Sequence, residues 1–191
     1  MEPLKIVIAD DESIIRLDLK KMLEGMGHQV IGEAADGQRA LEMVRTAKPD
    51  VAILDIKMPV MDGLDAAKII SEEKIAPVVL LTAYSQDDLI ARAKEAGVFA
   101  YLVKPFREES LMPAIEMAIS RYLELQDLES QVSDLAEKLD TRKVVDRAKG
   151  ILMDKYGLKE VDAFRRIQQQ SMNTRRSMKE IAEAIVIAHE V

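Results

Sequence analysis

Two hydrophobic periods alternate along the first 120 residues. Short runs that are apolar at nearly every position read as strands: residues 5–9 (KIVIA), 51–54 (VAIL) and 78–82 (VVLLT). Residues 29–34 and 100–103 are strand-like as well. Between them lie segments of helical period. Ile14, Ile15, Leu17, Leu19, Met22 and Leu23 form the first, which ends at Gly25 and Gly27. Residues 38–47, 64–74, 86–96 and 108–119 form the others, with Pro49, Asp62-Gly63 and Gly97 as breaks. Five strands thus alternate strictly with five helices. The runs 51–54 and 78–81 have no polar position, as expected of strands covered on both faces. The pattern predicts a doubly wound α/β fold with a five-stranded parallel sheet and right-handed crossovers. Ligands of such sheets bind at the carboxyl ends of the strands.

Beyond residue 119 the pattern changes. Leu125, Leu128, Val132, Leu135 and Leu139 are spaced 3, 4, 3, 4, with Glu, Asp and Lys around them. This is a heptad seam of two to three heptads, read as a coiled-coil linker or as a helix that packs within its own chain. From Thr141 three short helices are predicted, at 142–156 (closed by Gly157), 159–170 and 177–190, an all-α unit. Gln168–Gln170 read as a solvated helix end. The expected organisation is residues 1–120, 121–140 and 141–191.

Composition narrows the chemistry. With no cysteine and two histidines, disulfides, thiol catalysis, thiolate metal sites and a histidine-rich metal site are excluded. His28, after Gly27, reads as a surface turn residue, and the methionines at helical positions read as core fillers. The longest uncharged stretch, 75–86, is too short and too polar to span a bilayer, and the acidic start does not resemble a signal peptide, so the expected location is cytoplasmic. The net charge of −7 is uneven: residues 1–140 carry −11 and residues 141–191 carry +4, with +6 over 141–180. That is either a basic module for a polyanionic partner or a small helical tail rich in Lys and Arg.

Four of the five strands end in groups that could act together. Asp10 and Asp11 follow the first, Asp55 the third, Thr82 ends the fourth, and Lys104-Pro105 follows the fifth. In a parallel sheet these ends share one edge. Three carboxylates there repel one another unless a cation joins them, and an all-oxygen donor set favours Mg²⁺. A carboxylate nucleophile, a metal, a lysine and a hydroxyl are what phosphoryl transfer to Asp would need.

The segments IVIADDE, LDIKMPVMDG, LLTAYS and YLVKPF, over residues 4–120, resemble the receiver domain of bacterial two-component response regulators, a flavodoxin-like fold. The resemblance implies a phosphoacceptor, Asp55, and a sensor histidine kinase as partner. It implies that Asp10 and Asp11 hold Mg²⁺, with Asp11, Asp55 and the backbone carbonyl of Lys57 as the direct ligands. Lys104 would pair with the phosphoryl group across a cis bond to Pro105. Thr82 would hydrogen-bond the phosphoryl oxygen, and Tyr101 would swing inward with it; Tyr101 also reads as a plain packing residue. Lys57 and Tyr84 would face the attacking water, and Tyr84 would shield the site.

The tail, with RAKGILM, the pair Ala163-Phe164, Ser171-x-Asn173 and the closing Ile181-Ala182, resembles the ANTAR domain, an RNA-binding module of transcription antiterminators. That implies binding to a hairpin-containing leader RNA. The candidate contacts are Arg142, Lys143, Arg147, Lys149, Gly150, Arg165, Arg166, Asn173, Arg175 and Arg176, with phosphates met by Arg and Lys. Gly150 inside a helix costs about 1 kcal/mol relative to Ala, which suggests close approach of a helix or of RNA, or tolerated strain. Phe164 is expected in the core, since Ala163 and Ile167 share its face. The reading is a non-enzymatic regulator that forms a phosphorylation-promoted homodimer and controls antitermination. The alternative is a DNA-binding response regulator with a helix-turn-helix output. A haloacid-type phosphatase would need a carboxylate two residues after Asp55, where Lys57 stands.

Overall fold

The computed structural model describes residues 2–83, 97–98 and 100–189. The chain divides into two compact units, Met1–Gln126 and Asp127–Val191. The first contains β1 (Lys5–Ala9), α1 (Ser13–Gly25), β2 (Gln29–Ala34), α2 (Gly37–Ala47), β3 (Val51–Asp55), α3 (Gly63–Glu72), β4 (Val78–Thr82) and β5 (Ala100–Val103). A long helix, α4 (Glu108–Tyr156), begins in this unit and continues into the second, where α5 (Glu160–Thr174) and α6 (Met178–His189) follow. The helix expected at 86–96, and Tyr84, lie outside the described residues.

All four strand pairings are parallel, in the order β2-β1-β3-β4-β5. Alternate strand residues serve two cores, because side chains point to opposite faces. Val7, Ala9, Ala52, Leu54, Val78 and Leu80 pack with Leu41 and Val44 of α2 and with Leu64, Ala67 and Ile70 of α3. Ile6, Ile8, Val51, Ile53, Val79 and Leu81 pack with Leu19 and Leu23 of α1 and with Leu111 and Ile115 of α4. β3 and β4 are buried at every position. The turns are cut to the same frame. Asp36 and Asp62 cap α2 and α3 by accepting the backbone N–H of Arg39 and Asp65. Gly63 donates its N–H to the Ile56 carbonyl at 2.8 Å, and a Cβ there would lie 1.8 Å from the Asp55 carbonyl oxygen. Only glycine closes that loop.

The second unit has an aliphatic core of Val145, Ala148, Leu152, Ala163, Ile167, Ile181, Ala182 and Val186. Lys149 of α4 clasps Glu160 of α5 at 2.8 Å, and Asp140 of α4 meets Lys179 of α6 at 2.5 Å. Ser177 and Glu180 form a reciprocal capping box at the start of α6.

Several expectations need correction. The segments 108–119, 121–140 and 142–156 are one helix, since neither Gly nor Pro interrupts residues 114–149. Gln168–Gln170 do not end a helix; α5 runs on to Thr174 and closes at Arg175, which is left-handed. His28 is buried, and its Nδ1 accepts the Leu4 backbone N–H at 3.2 Å, so the ring supports the start of β1. Phe164 is 40% exposed: Ala163 and Ile167 fill the helix contact, and Phe164 falls beside it. Gly150 has nothing within 4 Å of where a Cβ would sit, so no neighbouring helix requires it.

These contrasts give opposite expectations for two glycines. Gly63→Ala should destabilise the first unit by about 3 kcal/mol or more through backbone collision. Gly150→Ala should stabilise α4 by about 1 kcal/mol. Urea unfolding followed by circular dichroism checks both.

Candidate functional site

The carboxyl ends of β1, β3, β4 and β5 bring the acidic, hydroxyl and lysine groups together. Asp10, Asp55 and Thr82 are buried, whereas Asp11 is exposed. Carboxylate oxygens of Asp10, Asp11 and Asp55 all lie within 4.8 Å of one another. The Lys104 Nζ sits between two of them, 2.6 Å from Asp10 Oδ2 and 2.7 Å from Asp55 Oδ1. Its backbone N–H donates to the Thr82 carbonyl at 2.7 Å, and its bond to Pro105 is cis.

Each carboxylate is also held from its own loop. Asp10 Oδ1 accepts the Glu12 N–H at 3.0 Å, and Asp55 Oδ2 accepts the Lys57 N–H at 3.0 Å. Lys57 itself is exposed. The loop beyond it contains a tight turn in which the Met61 N–H donates to the Pro59 carbonyl across Val60, whose φ is +68°. A β-branched residue in that region is strained, and it marks how sharply the chain must return from Asp55 to Gly63.

Burial pushes the Asp55 carboxyl above the ordinary aspartate range; the Lys104 hydrogen bond and charge and the Lys57 N–H oppose this, and Asp10 adds to it. Burial draws Lys104 down, but its hydrogen bonds and charge attraction to Asp10 and Asp55 outweigh that and hold it above the ordinary lysine value. The ammonium is therefore charged at neutral pH, and it offsets one of three negative charges. The donor set is all oxygen with one exposed member, and this suits a hard divalent ion that retains water.

Sequence reasoning missed Arg16, whose Nη1 donates to the Asp10 carbonyl at 2.6 Å. The available signal was its place in the first turn of the helix after the acidic pair. Tyr101 is 44% exposed on β5, where it is paired in register with Leu80.

In the second unit, the candidate nucleic-acid residues Arg142, Lys143, Arg147, Arg165, Arg166, Asn173, Arg175 and Arg176 are all exposed. Lys143, Arg147 and Gly150 recur at four- and three-residue steps, which places them on one face of α4. Lys149 differs: its side chain is 15% exposed and bridges Asp146 and Glu160, each at 2.8 Å. Its pKa is raised by those two hydrogen bonds. Arg166 lies 5.6 Å from the centroid of the Tyr156 ring, and the Tyr156 hydroxyl meets His189 Nε2 at 3.2 Å. The unit's two aromatic residues other than histidine, Tyr156 and Phe164, both lie outside its core. Among the described residues no helix is long and apolar enough to cross a membrane.

Comparison with known proteins agrees with this division. The model of the response regulator receiver domain matches residues 6–116, and that of the ANTAR domain matches residues 133–186. The transcriptional regulatory protein PdtaR of Mycobacterium tuberculosis is 51% identical over 184 residues, which cover 96% of this chain and 90% of that protein. The chemotaxis protein CheY of Listeria monocytogenes is 34% identical over 116 residues, 60% of this chain and 98% of that one. Among solved structures, Vibrio cholerae CheY4 is 33% identical with a TM-score of 0.56, covering 61% of this chain and 98% of that chain. The CheX-CheY-BeF3-Mg+2 complex of Borrelia burgdorferi aligns at 27% identity and a TM-score of 0.56, over 59% of this chain and 87% of that chain. With a receiver domain, an ANTAR domain and a relative similar along nearly its whole length, the chain belongs to the two-component response regulators that regulate transcription.

Proposed function

We propose that a sensor histidine kinase phosphorylates Asp55 and that the phosphorylated chain binds a hairpin-containing leader RNA to cause transcription antitermination. The observation that carries the first half is the position of Asp55: a buried carboxylate, gripped by Lys104 and grouped with Asp10 and Asp11 at one sheet edge. Asp10, Asp11 and Asp55, with the Lys57 carbonyl, would hold Mg²⁺, which supplies charge neutralisation for an incoming phosphoryl group. A relative of the same fold is described as a complex with BeF3 and Mg+2.

An Asp55 carboxylate oxygen forms the new O–P bond as the N–P bond of the donor histidine breaks, and the imidazole leaves with the bonding electron pair. Lys104 then exchanges one carboxylate partner for a phosphoryl oxygen. The Thr82 hydroxyl, at the end of the neighbouring strand, donates to another, and Tyr101 moves inward behind it. The role is regulatory rather than that of an enzyme with turnover, and the cytoplasm is its setting.

The second half rests on charge. The exposed Lys143, Arg147, Arg165, Arg166, Arg175 and Arg176 surround a unit that carries +6 over residues 141–180. They meet phosphates, while Asn173 has the donors and acceptor to read a base edge. Gly150 lets the RNA backbone approach α4 on the face of Lys143 and Arg147, which explains a glycine that no protein neighbour requires. Lys149 instead joins α4 to α5. Two copies associate through the Leu125–Leu139 seam when Asp55 is phosphorylated, and two weak RNA contacts become one stronger event.

Three outcomes are expected. A small phosphodonor with Mg²⁺ labels the wild type but not Asp55→Asn, and Asp11→Asn needs more Mg²⁺; equal labelling of Asp55→Asn removes the assignment. In filter binding, hairpin RNA is retained in preference to duplex DNA, and Lys143→Ala or Arg147→Ala each lowers the salt slope by about 1; preference for the duplex would favour the DNA-binding alternative. Changing both Leu128 and Leu135 to Lys lowers the dimer fraction in sedimentation and the RNA affinity together, with Asp55 labelling intact. A phosphorylated monomer that binds a two-hairpin RNA fully would exclude the dimer model.

A further inference from the structure

The seam on α4 is uncovered: Leu125, Leu128, Val132, Leu135 and Leu139 are between 41% and 65% exposed. Their spacing assigns heptad positions a, d, a, d and a. Glu124, Gln131 and Lys138 then occupy the g positions, and Glu129, Ala136 and Lys143 the e positions. All six are exposed on the same continuous helix.

These flanking charges discriminate between the two ways of pairing the seam with a second copy. In a parallel pair, each g residue faces the e residue of the partner's next heptad. Glu124 would face the partner's Glu129 and Lys138 the partner's Lys143, and symmetry repeats both like-charge pairs. In an antiparallel pair, g faces g and e faces e. With Leu125 opposite the partner's Leu135 and Leu128 opposite the partner's Val132, four layers are purely apolar. Glu124 then stands opposite the partner's Lys138, twice by symmetry. Glu129 meets its own copy once. Parallel pairing thus sets four like-charge contacts against none of opposite sign, and antiparallel pairing sets two opposite-charge contacts against one like.

We propose that two copies pair antiparallel through this seam, with Glu124 of each copy against the partner's Lys138. The inference rests on the dimer reading above and adds its orientation, which sets where the two basic modules are presented.

The chain has no cysteine, so introduced thiols report alone. In phosphodonor-treated full-length protein, under conditions in which sedimentation shows a dimer, a mixture of Leu125→Cys and Leu135→Cys chains should form the mixed disulfide. Leu125→Cys alone should not link to itself, because ten residues of helix hold the two copies of that position about 15 Å apart. Charge reversal gives a second readout without crosslinking. Lys138→Glu or Glu124→Lys should each weaken the dimer by about three- to ten-fold, and the double change should restore it. Parallel pairing requires the opposite sign, with each single change strengthening the dimer. Self-linking of Leu125→Cys, or tighter association of Lys138→Glu, overturns the orientation and leaves the dimer standing. A chain that stays monomeric in sedimentation overturns both.

Discussion

Two buried carboxylates at one sheet edge are the constraint around which the first unit is organised. Asp10 and Asp55 lie at the ends of adjacent strands, and burying a carboxylate is costly unless a counter-charge meets it. Lys104 resolves this by bonding to both. It can do so only because β4 and β5 run parallel to β1 and β3 and end at the same level. The tight loop after Asp55, the glycine that closes it and the backbone donors of Glu12 and Lys57 all serve to aim these carboxylates. The apolar strands beneath hold that aim, since β3 and β4 are buried throughout.

The same arrangement is poised for change. Three carboxylates against one ammonium leave a net negative edge with one exposed member, Asp11, facing water. A group that alters the charge on Asp55 must redistribute Lys104 between its two partners. Thr82 ends β4 and Tyr101 stands on β5, the two strands between that lysine and Asp55. The second unit is built by different means. Its core is entirely aliphatic, and polar clasps join its helices: Lys149 to Glu160, and Lys179 to Asp140. Such exposed pairs contribute little stability individually, so the small core carries the fold. The arginines and the two aromatic side chains are left to the surface.

How much was legible beforehand follows from which physics each feature obeys. The strands were readable because a doubly covered strand must be apolar at every position, as residues 51–54 and 78–81 are. The polar set at the strand ends was readable because a parallel sheet aligns those ends. The length of α4 was less plain, because three segments that seemed distinct in period share one uninterrupted backbone. His28 and Phe164 were read from their neighbours in sequence, but their burial depends on neighbours in space. His28 is covered because Leu4 crosses beside it, and Phe164 is uncovered because Ala163 and Ile167 already fill the helix contact. Arg16 escaped notice, and Lys149 was read as an RNA contact, for the same reason: charged helix residues are common, and only a partner from another segment gives them a place.

By itself, then, the sequence determined the periodicities, the class of fold, the acidic and lysine residues available at the strand ends, and the basic charge of the tail, because each depends on local pattern or composition. Tertiary structure decided which oxygens Lys104 reaches, which lysine is a clasp and which basic residues remain on the surface, which glycine admits no side chain, and which aromatics stay exposed. These depend on distances of a few ångströms between segments far apart in the chain, and no local pattern encodes such distances.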